Sequence, residues 1–378
     1  MKPFVFSADS HVGEPRDLFS HGLPDRLRDY ALATLKTDTE LQVKLGDRLL
    51  TRHKLNDGVH GTKRYGASDL ALRKADMEAD GVDAEILFPQ LGLMIYQIDH
   101  SEAELRSTQL YNDWIIDHVA DERRRWVPAA VLPVRDLNDT AREFRRVVDL
   151  GYRAVMLPMA TPPGVPTYNL PDWEPILALA HDTKVPLVFH CGTGLADPVV
   201  LRGPGGAIFN YSHLINGSMD VITLLVGGGG LERHPDAHVV TIEAGASWLP
   251  ALAERMDEVY HAHQHYVRPK LTRLPSQIVS DQVHCAFQTD RAGIIARHEL
   301  GHQTLLWATD YPHLEGTFPR SREVALEIFD GIDISEEEKR DILGRTAARL
   351  FRLEGWEELD VAPKLARVSF LPNPRAPK

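Results

Sequence analysis

Asp9-Ser10-His11 closes the apolar run Phe4-Val5-Phe6, and three later apolar runs end in His190, Glu243 and Asp310. Residues at i and i+2 of a strand point to one face, so Asp9 and His11 can grip a single ion. His190 ends Val188-Phe189-His190-Cys191-Gly192, where the glycine leaves room for a ligand. Asp310 ends Leu305-Leu306-Trp307-Ala308-Thr309-Asp310, and a carboxylate closing so apolar a strand is costly unless a cation or a donor compensates it. Taken singly, Asp-x-His reads as a capped turn, and a strand-end His as a hydrogen-bonded core residue. Their recurrence at four strand ends points to a metalloenzyme instead.

The elements that must position these side chains follow from the hydrophobic pattern. Eight short apolar runs are bounded by Gly, Pro or charge: Phe4 to Asp9, Ala84 to Phe88, Trp126 to Val134, Ala154 to Met159, Pro186 to His190, His238 to Glu243, His284 to Gln288 and Leu305 to Asp310. Between them lie stretches of helical character, among them Ser68 to Asp80, Glu102 to Asp121, Asp136 to Leu150, Trp173 to His181, Ile215 to Val226 and Leu249 to His263. Strands alternating with helices imply parallel pairing through right-handed crossovers, and eight units predict an α/β fold of the closed (β/α)8 TIM barrel type. Catalytic groups of that fold sit at the C-terminal strand ends, where His11, His190, Glu243 and Asp310 fall. An open doubly wound sheet is the rival, but no Gly-x-Gly-x-x-Gly turn follows the first strand.

One domain is expected over residues 1–354, with insertions at 13–67 and 260–282 covering the barrel mouth and a C-terminal extension over 355–378. Ser335-Glu336-Glu337-Glu338 has capping-box spacing and opens a last helix. The net charge of -12 comes without a basic stripe, which argues against a nucleic-acid partner. No apolar run approaches the roughly 18 residues that span a bilayer. With two cysteines, Cys191 and Cys285, and an N-terminus that enters a strand at once, a cytoplasmic enzyme of a small-molecule substrate is expected.

Several segments carry a resemblance: Ser7-Ala8-Asp9-Ser10-His11-Val12-Gly13-Glu14-Pro15, Met77-Glu78-Ala79-Asp80-Gly81-Val82-Asp83, Phe189-His190-Cys191-Gly192, Glu232-Arg233-His234-Pro235, Glu243-Ala244-Gly245-Ala246-Ser247-Trp248, Asp310-Tyr311-Pro312-His313 and Gly344-Arg345-Thr346-Ala347-Ala348-Arg349-Leu350-Phe351. Together they resemble the amidohydrolase-related family typified by aminocarboxymuconate-semialdehyde decarboxylase. The resemblance implies a distorted (β/α)8 barrel holding a divalent metal on Asp9, His11, His190 and Asp310. Two positions depart from it. An acid, Asp9, replaces the first His of the usual His-x-His, and Glu243 stands where the decarboxylase pattern has a His.

Glu14, His213, His263 and His313 add further candidate ligands near the mouth. This carboxylate-rich mixture suits two iron, or manganese and iron, ions better than one zinc ion, with Glu243 or Glu14 as the bridge and His263 or His313 assisting. It is similar to the family's dinuclear monooxygenase branch, so the leading expectation is hydroxylation of a C–H bond of a small organic or carboxylate substrate with dioxygen, Glu243 and Asp310 being catalytic. The alternative is a mononuclear zinc or manganese hydrolase or non-oxidative decarboxylase with Glu243 as general base. A non-catalytic barrel paired with an active homologue is a third reading, which this many ligands disfavours. Family resemblance also implies a homo-oligomer, or a hetero-oligomer with a homologous subunit. Trp248 is read as lining the substrate pocket, and Arg268 as meeting a substrate carboxylate from the covering loop. Gly227 to Gly230 lacks a following Lys-Ser/Thr and reads as a helix C-terminal turn.

Overall fold

The computed structural model describes residues 3–54, 65–194 and 200–360. The expected tail over 361–378 lies outside them. Eight barrel strands follow in chain order. β1 is Phe6–Ser7 with a continuation at His11–Val12, β2 is Ala84–Pro89, and β3 is Trp126–Pro128 with Ala130–Val131. β4 is Val155–Pro158, β5 Leu187–His190, β6 Val239–Ile242, β7 Val283–Phe287 and β8 Leu305–Trp307. Every neighbouring pair from β1 to β8 is parallel. The ring closes where Ala8 donates to Trp307 O at 2.9 Å, Asp310 to Asp9 O at 2.9 Å and His11 to Tyr311 O at 2.6 Å.

The strands are buried along their whole length, as the continuous apolar runs require of a sheet with helices outside and packed side chains within. Helices start where the sequence supplies caps. Asp69 accepts from Ala71 and Leu72 amides before Leu70–Asp80, and Asp136 accepts from Asn138 and Asp139 before Leu137–Asp149. Ser335 and Glu338 form the expected capping box. Its helix continues through one wide turn at Asp341–Arg345 to Leu350. Gly227 to Gly230 is a helix-to-helix turn, with Gly229 at φ 72 capping Gly230–Arg233.

At the ends of segment 13–67 the amide of Gly13 bonds Ala67 O, and Glu14 accepts from Leu91 and Gly92 just beyond β2. Its internal structure was not read from the sequence. Leu32–Lys36, Glu40–Leu45 and Arg48–Lys54 form an antiparallel meander. The signal was there in the alternation of Leu41, Val43 and Leu45 followed by Gly46-Asp47, a two-residue hairpin loop in which Gly46 takes φ 54.

Segment 260–282 does not cover the mouth. It links the helix Trp248–Ala262 to Pro275–Gln282, and the Gln282 amide donates to the carbonyls of Leu231, His234 and Ala237 at 2.9–3.0 Å, just before β6 begins. A connection running from a barrel helix into the next strand returns at the N-terminal face, opposite the catalytic end. His263 and Arg268, both exposed, therefore stand away from the predicted ligands. His263→Ala and Arg268→Ala should leave metal content and turnover within about twofold of wild type, surface changes of this kind costing no more than about 0.5 kcal/mol. Loss of bound metal in either variant, by elemental analysis, would contradict this placement.

Behind β1 the barrel core is polar. Arg73 pairs with Glu85, both buried, and also donates to His11 O at 2.7 Å. Glu85 accepts from Ser10 Oγ at 2.6 Å and from the Trp126 indole at 3.1 Å. Removing one partner of a buried pair strands the other's charge, so Arg73→Met should lower stability by about 3–5 kcal/mol in denaturant melts.

Candidate metal centre

At the C-terminal strand ends, Asp9, His11, His190 and Asp310 converge in a site only 0–1 % exposed. One ligand atom from each of Asp9, His11 and His190 lies within 4.8 Å of the others, and the same holds for His11, Asp310 and His313. His11 Nε2 is 3.6 Å from Asp9 Oδ1 and 3.5 Å from Asp310 Oδ1, and His190 Nε2 is 3.7 Å from Asp9 Oδ1.

The two imidazoles identify what the site lacks among protein groups. His11 Nδ1 is 2.9 Å from Pro89 O, and His190 Nδ1 is 3.0 Å from Cys191 O. A carbonyl can only accept, so both Nδ1 atoms carry a proton and Nε2 is the nitrogen each ring can offer to a cation. The two Nε2 atoms face each other at 3.2 Å. Asp9 Oδ1 and Asp310 Oδ2 are buried without a hydrogen bond. Buried carboxylate oxygens without a donor are costly unless a cation sits among them. The donor set, two imidazoles and two carboxylates, fits zinc, manganese or iron.

With only protein groups around it, burial opposes charging His190, but the Asp9 and Glu243 carboxylates win and raise it to about 9. His11 is pushed well down by burial and by His313 and His190. Burial raises both Glu243 and Asp310, with His190 and His313 respectively opposing.

Backbone strain accompanies these two carboxylates. Glu243 has φ 61 and Asp310 φ 53, a left-handed conformation that costs a non-glycine residue about 1–3 kcal/mol and collects at functional sites. Glu243 Oε2 lies 3.8 Å from His190 Nδ1, with 26 % of its side chain exposed. It faces a cavity of about 520 Å³ lined by Asp9, Tyr211, Phe287, Gln288 and Glu315, among others. His313 packs against His11 with ring centroids 4.1 Å apart and the planes tilted by 30°. Its Nδ1 is 2.8 Å from Asp310 Oδ1, at ion-pair distance, and its Nε2 is 3.2 Å from Gln90 Oε1.

Other expected site residues are engaged elsewhere. Glu14 accepts from Leu91 and Gly92 amides with its two oxygens, at 2.9 and 2.7 Å, which caps the turn after β2 in place of binding metal. Trp248 does not line the cavity. It is 6 % exposed and its indole donates to Ala244 O at 2.9 Å, pinning the turn after Glu243. His213 is exposed, with Nδ1 2.9 Å from Asn216 Nδ2. Sequence reading overlooked Glu315, whose carboxylate groups with those of Glu243 and Asp310 within 4.8 Å. Its signal was Asp310-Tyr311-Pro312-His313-Leu314-Glu315, a second acid five residues past a strand-end ligand.

Residues 54–353 match the sequence profile of the amidohydrolase family. No curated protein gives a significant sequence match. Solved structures show the same fold. An amidohydrolase from Mycobacterium avium subsp. paratuberculosis superposes with TM-score 0.74 at 18 % identity, covering 93 % of this chain and 100 % of that one. A 5-carboxyvanillate decarboxylase from Sphingomonas paucimobilis gives 0.69 at 20 %, covering 93 % and 99 %. A dihydroxybenzoic acid decarboxylase from a Polaromonas species, with bound manganese and an inhibitor, gives 0.63 at 19 %, covering 95 % and 99 %.

His190→Ala should abolish tight binding of Mn²⁺ while the fold, judged by circular dichroism, persists. Because a proton occupies His190 up to pH about 9, a bound cation must displace it, so apparent affinity should rise with pH towards that value. Calorimetry in buffers of differing ionisation enthalpy should show proton release at pH 7, and a heat independent of buffer would refute this.

Proposed function

Since the chain belongs to the amidohydrolase family, we propose that it is a metal-dependent non-oxidative decarboxylase of a small, flat carboxylic acid, using one tightly held divalent cation, manganese or zinc, on Asp9, His11, His190 and Asp310. The observation that carries this reading is Glu243, a carboxyl standing between that metal centre and the cavity. When bound, the cation supplies the positive charge that holds and polarises the substrate's oxygens. Among the described residues lining the cavity there is no Lys or Arg to do so. Tyr211 and Phe287 offer aromatic walls to a planar substrate. The named activities of the 5-carboxyvanillate and dihydroxybenzoic acid decarboxylases support the same substrate class.

Non-oxidative decarboxylation exchanges a carboxylate for hydrogen. The bond to the carboxyl carbon breaks, carbon dioxide leaves, and one proton must reach the carbon left behind. That proton needs a donor facing the cavity beside the metal centre. Asp290 also lines the cavity, but it accepts from the Ala246, Ser247 and Gly293 amides, which hold it as a carboxylate below the usual range despite burial. Glu243 is the better placed group, and burial favours its protonated form. Turned to hydrolysis, the same carboxyl would take a proton from water instead.

A second reading is C–H hydroxylation by dioxygen at two iron, or manganese and iron, ions. The observation in its favour is the surplus of carboxylate around Asp310.

Release of carbon dioxide from hydroxybenzoate-type acids by the manganese-loaded enzyme under nitrogen tests the choice. Glu243→Gln should keep the tight cation and lower the rate by roughly 10²- to 10⁴-fold. A strict requirement for dioxygen would overturn the decarboxylase reading in favour of the oxygenase.

A further inference from the structure

We propose that the carboxylic acid taken by this site carries an apolar substituent, which leaves the cavity past Tyr211 and lies along the helix Gly206–His213 against Ile208. This deepens the reading above and rests on it for the acid group at the metal centre. Tyr211 belongs to the cavity wall, yet 69 % of it is exposed. Ile208 stands one helical turn earlier on the same face and is 78 % exposed. The cavity wall thus continues as an apolar strip onto the outer surface.

Of the helix residues only Gly206 is buried, so its apolar side chains do not serve the barrel core. Asn210 fixes the helix to the loop before it, accepting from the Leu201 amide at 2.9 Å and donating to Leu201 O at 2.8 Å. These bonds bring Leu201 and its neighbour Val200, both exposed, beside the helix. One exposed apolar residue is ordinary, whereas several together at the edge of a cavity mark a surface that receives a ligand. The cavity has the matching polarity. Asp9 stands among the metal ligands, Glu243 and Glu315 group with Asp310, and Asp290 is held by three backbone amides. The rest of the described wall is uncharged and includes Ala286, Phe287, Ala308 and Tyr211. An acid headgroup therefore belongs with the cation, and an apolar body with Tyr211. At about 520 Å³ the cavity falls within the roughly 300–1,000 Å³ of sites that take drug-sized ligands. A single-ring acid leaves much of that space unfilled, whereas an added apolar arm fills it and covers Ile208.

The test is calorimetric binding of 2-hydroxybenzoate and of its 4-hexyl and 5-hexyl derivatives to the manganese-loaded full-length enzyme. At least one hexyl acid should bind about tenfold or more tightly than the parent, since each buried methylene adds to affinity. Ile208 is exposed, so its variants should fold. Ile208→Ser should shrink the ratio of the two affinities to within about threefold, and Ile208→Leu, which stays apolar, should keep it. Equal binding of parent and hexyl acids by the wild type, or a ratio untouched in Ile208→Ser, would overturn the proposal. Sedimentation velocity tests the other occupant. A wild-type oligomer that falls apart in Ile208→Ser would assign this face to a second copy of the chain and sink the proposal as well. Turnover separates it from the functional reading. If a hexyl acid binds through Ile208 and no carbon dioxide forms, the apolar arm stands and the decarboxylase fails. If 2-hydroxybenzoate is decarboxylated while the hexyl acids bind no better, the arm fails alone.

Discussion

Everything at the catalytic end depends on four lone-pair groups being forced together where β8 meets β1. The Pro89 and Cys191 carbonyls accept from the Nδ1 atoms of His11 and His190, leaving the two Nε2 atoms 3.2 Å apart with Asp9 and Asp310 beside them. In water these groups would separate. The closed barrel cannot let them, because their backbones belong to strands hydrogen-bonded into one ring. Groups already held together need little reordering when a cation arrives, which favours metal affinity.

A polar scaffold behind the ligands keeps the arrangement from relaxing. Arg73 reaches from Leu70–Asp80 to the His11 carbonyl, lies over the Tyr311 ring at 4.9 Å and pairs with Glu85. Tyr311 donates in turn to Asp76, one helical turn beyond Arg73. One helix therefore grips both seams that carry ligands, the stretch around His11 and the stretch just after Asp310. Ser7 and Thr309 hydroxyls, 2.9 Å apart, join the same two strands from inside. Such a network orients ligands by holding their backbones, and it accounts for so much polarity within an otherwise apolar barrel.

The strained backbones of Glu243 and Asp310 belong to the same economy of position. Each follows the end of a buried strand, where its left-handed backbone turns the chain out of the strand direction. The cost is local and the surrounding hydrogen bonds hold it: the Asp310 amide bonds Asp9 O, and Asp290 clamps Ala246 and Ser247 just after Glu243.

The strands, and with them the strand-end positions of Asp9, His11, His190, Glu243 and Asp310, were legible because each barrel strand is a short apolar run that ends in a charge. Periodicity is a property of neighbouring residues, so the sequence alone carries it. The meander after β1 was hidden by brevity, although its Gly46-Asp47 hairpin loop was a readable sign. Loop residues were a different matter. Glu14, His263, Arg268 and Trp248 are of the right chemical types, but a type does not say which face of the barrel a connection returns to or which amide a carboxylate meets first. His263 fell at the opposite end, Glu14 was captured by two backbone amides, and Glu315 came to Asp310 unannounced. Sequence by itself determined the barrel and the strand-end positions of Asp9, His11, His190, Glu243 and Asp310, because both are written in local pattern. Only the tertiary structure decided which further side chains stand beside them, because distance between residues remote along the chain exists only once the ring has closed.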